Sequence, residues 1–337
     1  MERQYVGIDL HRRTSTVHRM SADGEVLGTA RVPSQPMELA QVMADAGPEP
    51  EVVLESTYGW YWAADLLQEL GANVHLAHPL GNNWGNRRVK NDERDAQDLA
   101  AMLRLGRLAE GWIAPPPVRE LRELVRYRFR LVLHRTSCKA QIHGVMAKNG
   151  ILPARGCMWG PSGSAQLNAL ELPMAYSLRL ESLRDLLAYY DREIAMLNRR
   201  IHRELEHDPG YNAIRQIPGV GRVLAAVFCA EIGEVSRFPS PDKLCSWAGL
   251  TPKHRESDDK VTRGPITKQG SPLVRWAAIE AISKYRGGPT LRADYHRIAA
   301  RRGKFKARVA VARKLLTLVF YGLRDGEVRC LQALQPA

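Results

Sequence analysis

Tyr5-Val6-Gly7-Ile8-Asp9 is an apolar run of strand length that ends on a carboxylate. Its reading decides the first third of the chain. Thr14 to Met20 and Val26 to Val32 follow as two further strands, joined by the turn residues Ala22-Asp23-Gly24. Helical spacing begins near Met37 and runs to Ala46. A fourth strand, Val52 to Glu55, again ends on an acid. A helix from about Tyr58 to Leu70 stops at Gly71, and a fifth strand spans Asn73 to Ala77. After a loop rich in Gly, Asn and Arg, Gly81 to Lys90, a last helix opens at Asp92.

This order, β-β-β-α-β-α-β-α, is that of the RNase H-like fold. There the first strand is central and the fourth lies beside it, so Asp9 and Glu55 are expected as neighbours at one sheet edge. The last helix crosses that edge, and the i, i+3 spacing of Asp92 and Asp95 puts both on one helix face. Asp98 continues that face as a candidate fifth acid, whereas Glu93 points elsewhere. Carboxylates that meet repel one another unless cations lie between them. Hard divalent ions such as Mg²⁺ take oxygen ligands, and two of them serve phosphoryl transfer by activating the attacking oxygen and stabilising the leaving one. Singly, an Asp at a strand end is an ordinary turn residue, and Asp92 also suits a helix cap. The four acids together, at the places one topology predicts, point to a site for Mg²⁺, with two ions per site.

The bulk numbers agree with such work. The 337 residues allow two or three domains, and 45% hydrophobic with 25% charged residues is ordinary for a soluble globular protein. The 49 Lys+Arg against 36 Asp+Glu, a net charge of +13, suit a polyanionic partner or a solvated basic surface. None of the five cysteines forms a Cys-x-x-Cys pair, so they are expected as reduced thiols and not as disulfides or a zinc site. The start lacks a signal-peptide pattern and no apolar run is long enough to span a bilayer. A cytoplasmic location, with no membrane partner, is expected.

Ala114-Pro115-Pro116-Pro117 breaks the chain, because consecutive prolines cannot continue a helix. Three parts are expected: 1–112, an α/β catalytic domain; 113–206, a helical linker and arm; and 207–337, a mostly helical domain. Val118 to Lys148 is helical and basic, and includes Arg126 and Arg130. Asn149 to Gly163, rich in Gly and Pro, reads as a loop. Tyr176, Leu180, Leu183, Leu187, Tyr190, Ile194, Leu197 and Ile201 alternate at spacings of four and three, a heptad seam long enough for a short coiled coil. It suits a coiled-coil arm that pairs subunits, or a helix packed inside its own domain.

Ile217-Pro218-Gly219-Val220-Gly221 precedes an apolar helix, Val223 to Ile232, and reads as the hairpin of a helix-hairpin-helix motif. Gly219 and Gly221 permit close backbone approach, and the following helix start offers N–H groups to a phosphate. A plain glycine turn has the same pattern. Lys253 to Gly270 is a polar, charged stretch ending Thr267-Lys268-Gln269-Gly270, and a helix starts after Pro272. The tail, Tyr295 to Leu323, is helical and basic, with Lys304 and Lys306. Arg126, Arg130, Lys304 and Lys306 are candidate nucleic-acid contacts or solvated charges, and Trp84 and Trp247 are candidates for base stacking or for the core.

Gly7-Ile8-Asp9, Leu54-Glu55-Ser56-Thr57-Tyr58-Gly59 and Asn91-Asp92-Glu93-Arg94-Asp95-Ala96 resemble the three acidic blocks of a class of bacterial insertion-sequence transposases with a RuvC-like DEDD domain. Ile217 to Gly221, Phe238-Pro239-Ser240, Ala248-Gly249-Leu250-Thr251-Pro252 and Thr267 to Gly270 with Leu273 and Arg275 resemble their C-terminal transposase domain. The blocks keep the family order over nearly the whole chain; residues from about 115 to 205 match in helical character more than in motif. The resemblance implies DNA recombination that moves an element between donor and target DNA, guided by a structured bridge RNA that pairs with both. It implies homodimers that assemble to a homotetramer, Mg²⁺ on the DEDD acids, nucleic-acid contacts in the C-terminal domain that include Lys268 and Arg275, and a serine there that forms a covalent phosphoserine link. The matching position is Ser257. The residues themselves do not single it out, since a serine in a charged loop is a poor nucleophile without activation. Thr267 stands where many relatives have serine, and suits a helix cap or a phosphate contact.

Other readings use the same residues. A hydrolytic nuclease of Holliday-junction-resolvase type needs the acids and leaves Ser257 dispensable. A nonenzymatic nucleic-acid-binding scaffold needs only the hairpin and basic helices. A sugar-kinase or actin-like ATPase also opens on Gly-Ile-Asp, but no second glycine block for phosphate stands at a matching place.

Overall fold

The computed structural model describes residues 3–79, 81, 91–154, 157–258, 260–284 and 289–332. The chain divides into two compact units, Met1–Ala114 and Pro115–Ala337.

The first unit is built on strands β1 (Tyr5–Leu10), β2 (Thr14–Met20), β3 (Val26–Pro33), β4 (Glu51–Glu55), β5 (Asn73–Ala77) and the two-residue β6 (Glu110–Gly111), in the order β3-β2-β1-β4-β5-β6. β1 is antiparallel to β2 and parallel to β4. β1 is thus central, with β4 beside it as the element order predicts; β6 is too short to leave a periodic signal. Helices α1 (Pro36–Met43) and α2 (Trp60–Glu69) cover one face, and α3 (Asp92–Arg104) the other. The alternation of β1 sorts the layers. Val6, Ile8 and Leu10 pack with Leu39, Ala63 and Leu67 of α1 and α2, while Val53 of β4 packs with Leu99 and Leu103 of α3. Gly7 lies on the α3 side, and there the helix comes down onto the strand: a Cβ at Gly7 would stand 1.9 Å from the Ala96 carbonyl oxygen.

The second unit opens with α4 (Pro116–Lys148), α5 (Pro161–Asn168) and α6 (Met174–Leu205). α4 and α6 run antiparallel, as the pairs Arg128–Asn198 and Arg135–Asp191 require. The heptad seam of α6 lies against α4: Leu180, Leu183 and Leu187 pack with Cys138, Ile142 and Met146, and Ile194, Leu197 and Ile201 join Val125 and Leu131 in the main core. The seam is therefore satisfied within the chain, as a helix packed in its own unit. A different stripe, Leu178, Leu186, Tyr189 and Met196, faces outward from the same helix. The segment 149–163, read as loop, ends in the start of α5, whose first residue is Pro161; proline there begins a helix instead of breaking one.

Next come α7 (Pro209–Ile214), α8 (Arg222–Ile232), α9 (Pro241–Trp247), the hairpin β7 (Pro252–Ser257) and β8 (Lys260–Ile266), then α10 (Pro272–Lys284), α11 (Pro289–Arg302), α12 (Lys304–Asp325) and α13 (Arg329–Gln332). Their core joins Ala225 and Phe228 of α8, Val274 and Ala278 of α10, and Leu315, Val319 and Phe320 of α12. The polar stretch after Pro252 is a two-stranded ribbon with every residue of β7 exposed. It buries no face, so no apolar alternation marks it in sequence. Cys138 and Cys245 are buried, burial pushes the Cys229 thiol up, and all five cysteines are free thiols. Among the described residues no helix is long and apolar enough to cross a membrane.

Candidate functional site

β1 carries Asp9 to its carboxyl end, where the residue is 4% exposed. Gly7, Asp9 and their partners across the sheet share the α3 face. Register places Gly7 opposite Val53 and Ile8 opposite Leu54 in parallel β4, so Glu55 is the next step beside Asp9. Thr57 Oγ1 donates to the Leu10 carbonyl at 3.2 Å and ties the two strand ends together. α3 brings the other acids. Its cap is Asn91, whose Oδ1 accepts from the Glu93 N–H at 3.1 Å, which removes capping as the reason for Asp92. Asp95 is buried on the same helix, Asp98 is half-buried and Glu93 is exposed. Asp92, Glu93 and Asp95 all lie in the first turn, where the helix dipole favours negative charge.

Among the described residues, the group whose ligating atoms all lie within 4.8 Å of one another is Asp9, His11 and Asp92. His11 Nε2 stands 3.1 Å from Asp9 Oδ2 and 3.4 Å from Asp92 Oδ1, bridging the two carboxylates. Arg31 reaches Asp92 Oδ2 at 3.7 Å. Neither His11 nor Arg31 was expected from sequence. Both were within reach of it: His11 follows Asp9 by two residues, and Arg31 lies in one row with Thr16 and Asp9 across three strands. Glu55 and Asp95 are not members of that tight group. Two carboxylates and an imidazole are donors that a hard or borderline divalent cation accepts.

Ser257 is the last residue of β7, exposed and paired in register with Lys260 across the hairpin turn. Asp258 in that turn has φ 52°, the left-handed region that short polar residues tolerate. His254 Nε2 lies 3.3 Å from Glu256 Oε2 on the same strand.

The other motifs of the second unit have packing duties. A Cβ on Gly249 would meet the Gln269 carbonyl oxygen at 2.2 Å, and one on Gly270 the Trp247 carbonyl oxygen at 1.8 Å. The Gly-Leu-Thr-Pro and Thr-Lys-Gln-Gly blocks therefore press backbone to backbone. Lys268, at φ 57°, donates its N–H to the Gly249 carbonyl at 3.1 Å. Arg275 clamps the junction by donating to the carbonyls of Ala248, Gln269 and Gly270 at 3.1, 2.8 and 3.1 Å. Its guanidinium is thus a structural tie. Thr267 is not the cap of α10: Ser271 Oγ accepts from the Val274 N–H at 3.3 Å.

Arg126, expected as a phosphate contact, donates from two nitrogens to the buried carboxylate of Glu231, at 2.7 and 3.1 Å. Arg130, Lys304 and Lys306 are exposed. Trp247 packs with Phe238, ring centroids 5.3 Å apart, under the Arg237 guanidinium, so it belongs to the core. Burial pulls Arg237 down to about 10, with Arg122 adding like charge. Trp84 lies outside the described residues.

Two family models match the chain. Residues 6–149 match a transposase model of the IS110 DEDD type, and residues 211–296 match the model described as Transposase IS116/IS110/IS902 family. The chain belongs to the IS110/IS116/IS902 family of transposases. Its relatives include a Pseudomonas aeruginosa protein named "Probable family 20 transposase", 26% identical over 228 residues, 64% of either chain. A Sinorhizobium fredii relative is 28% identical over 245 residues, 69% of this chain and 57% of that protein. The transposase for insertion sequence element IS1328 of Yersinia enterocolitica is 24% identical over 282 residues, 83% of either chain. The chain thus spans less than two thirds of the length of the first two relatives.

Proposed function

We propose that this chain cuts and rejoins DNA to move an insertion sequence, with a divalent-metal site on Asp9, Glu55, Asp92 and Asp95 and with Ser257 as nucleophile. The observation that carries the reading is the meeting of the Asp9 and Asp92 carboxylates at the end of the central strand. The strand order β3-β2-β1-β4-β5, with the acids beneath α3, supports an RNase H-like, RuvC-like unit. His11 joins the acids as a further donor. A bound Mg²⁺ supplies charge to stabilise the transferring phosphate and to acidify an attacking oxygen. The acids hold that charge in place. Ser257 Oγ bonds to a backbone phosphorus as its proton leaves to a base, and a sugar oxygen departs to give the phosphoserine link. Attack by a second strand's hydroxyl reverses this, so rejoining needs no outside energy source. Exposure of Ser257 at a strand end supports its access to DNA.

The proposal extends to partners. A structured bridge RNA pairs with donor and target DNA and chooses both. Gly221, Arg130, Lys304 and Lys306 contact nucleic-acid backbone, in keeping with the +13 charge. Two dimers form the working tetramer, and because α4 covers the inner seam of α6, a second copy meets the outer stripe at Leu186, Tyr189 and Met196.

The test is covalent trapping. Wild-type, Asp9→Ala and Ser257→Ala proteins are incubated with Mg²⁺, RNA from the flanks of the gene, and labelled donor and target DNA. A protein–DNA adduct that needs both residues is expected. Cleavage without an adduct, unaffected by Ser257→Ala, would instead identify a hydrolytic nuclease.

A further inference from the structure

Between α4, α6 and the start of α8 the second unit holds a cavity of about 240 Å³. Its interior is apolar and aromatic. Phe129 and Trp276 meet edge to face there, with centroids 5.2 Å apart, and Tyr211, Val223 and Ala226 add to the walls. Its charge is of one sign: Arg128, Arg199 and Arg222 line it, and among the described residues no carboxylate does. Arg128 Nε donates to Asn198 Oδ1 at 3.0 Å, which sets the guanidinium at the wall. Burial there lowers Arg128 from its ordinary value, and the like charge of Arg135 adds to the effect.

Two lining residues, Arg222 and Val223, directly follow the Gly219-Val220-Gly221 turn in the chain. The two glycines differ in what they do. At Gly219, φ is 92° and a Cβ would strike the Ala281 carbonyl oxygen at 2.4 Å, so this glycine serves packing. At Gly221, the residue before α8, a Cβ would meet nothing within 4 Å. No side chain caps the helix, and Arg222 is its first residue. The start of α8 is thus an open, positively polarised surface beside a cavity rimmed by arginines.

We infer that this cavity receives the base of one unpaired nucleotide, with its phosphate resting on the start of α8 and on Arg222. A nucleobase is flat and stacks on aromatic rings, and its polar edge pairs with amide and guanidinium groups such as Asn198 and Arg128. A phosphate answers the cationic rim. At about 240 Å³ the cavity is smaller than ordinary ligand pockets, roughly 300 to 1,000 Å³, which limits it to one ring system. A base held in a duplex must leave its stack to enter, so the site prefers single strands, bulges or extruded nucleotides. The inference rests on the nucleic-acid-binding part of the proposed function.

The test uses the full chain, with short single-stranded DNA and RNA that carry one 5-iodouracil, and the same strands fully paired. Affinities are measured for wild type and for the cavity-filling variants Val223→Phe and Ala226→Leu, whose folding is checked by circular dichroism. Wild type is expected to prefer unpaired over paired strands by at least about tenfold, and photo-crosslinks are expected at Phe129, Tyr211 or Trp276. The filled variants are expected to lose the preference and keep the duplex affinity. The tighter of the two single strands tells whether DNA or RNA supplies the nucleotide. A folded, filled variant that keeps the preference overturns the inference, as do wild-type crosslinks confined to other residues. The crosslink map decides the matter if both variants misfold. Equal binding of paired and unpaired strands rejects the pocket alone, whereas no binding of any strand rejects the nucleic-acid reading with it.

Discussion

Gly7 and Ala96 touch backbone to backbone: a Cβ on Gly7 would lie 1.9 Å from the Ala96 carbonyl oxygen and 2.7 Å from the Ala100 nitrogen. The contact seats α3 on β1 one pleat before Asp9, and so sets how far Asp92 stands from it. Gly7→Ala is expected to push the helix off the strand at a cost of about 3 kcal/mol, the upper end of overpacking, because backbone cannot rotate away. Urea unfolding should show the first unit's transition at lower denaturant. A midpoint equal to that of wild type would contradict the seating.

The acid cluster makes a prediction that needs no substrate. A divalent cation that binds the folded unit stabilises it by mass action, about 2.7 kcal/mol when its concentration is a hundred times its Kd. Mg²⁺ or Mn²⁺ should raise the melting temperature of wild type, and chelation should reverse the rise. Asp9→Asn and Asp92→Asn should each abolish it. A metal-dependent shift that survives in both variants would place the ion elsewhere.

Arg126 and the exposed lysines should separate by readout. Glu231 is 3% exposed and receives two hydrogen bonds from Arg126 and one, at 2.9 Å, from Ser271. Arg126→Ala leaves that carboxylate partly unpaired. A fully buried broken pair costs about 3 to 5 kcal/mol; since the Arg126 side chain is 49% exposed, about 1 to 2 kcal/mol is expected after screening. Its salt dependence of DNA binding should match wild type. Lys304→Ala and Lys306→Ala should do the reverse, leaving stability unchanged and lowering the slope of log affinity against log salt by about one each. Equal slopes in all three variants would remove Lys304 and Lys306 from the interface.

The α/β unit was legible because its central strands are short apolar runs bounded by turn residues and its acids stand at strand ends and in the first turn of a helix. The α6 periodicity was legible too, but period alone cannot name the partner, and α4 supplied it from within the chain. His11, two residues after Asp9, and Arg31, in one cross-strand row with Thr16 and Asp9, were within reach of the sequence but were not singled out, because neither is an acid. The β7–β8 ribbon escaped because every residue of β7 is exposed and leaves no apolar alternation. Arg126 was read as a nucleic-acid contact from its charge and Arg275 from the resemblance; their partners, Glu231 and three backbone carbonyls, lie from 5 to 105 residues away.

His18 gives the first unit a pH response. It faces Gly7 across the β1–β2 ladder. Its Nδ1 lies 2.8 Å from Thr29 Oγ1, and Nε2 is buried with no hydrogen-bond partner among the described residues. Protonation would place an unsolvated N–H there, so burial lowers the ring from its ordinary 6.5. Well above 6.5 the ring is neutral in both states and contributes nothing to the pH dependence. As pH falls through 6.5 the unfolded ring takes a proton that the folded ring refuses, the unfolded state binds more protons, and stability declines until the folded pKa is passed. Acidification from about pH 7 to about pH 5 should therefore lower the urea midpoint of the first unit. His18→Gln keeps a polar partner for Thr29 and cannot titrate, so its midpoint should fall less over the same range. If the two proteins decline in parallel, the response belongs to other groups.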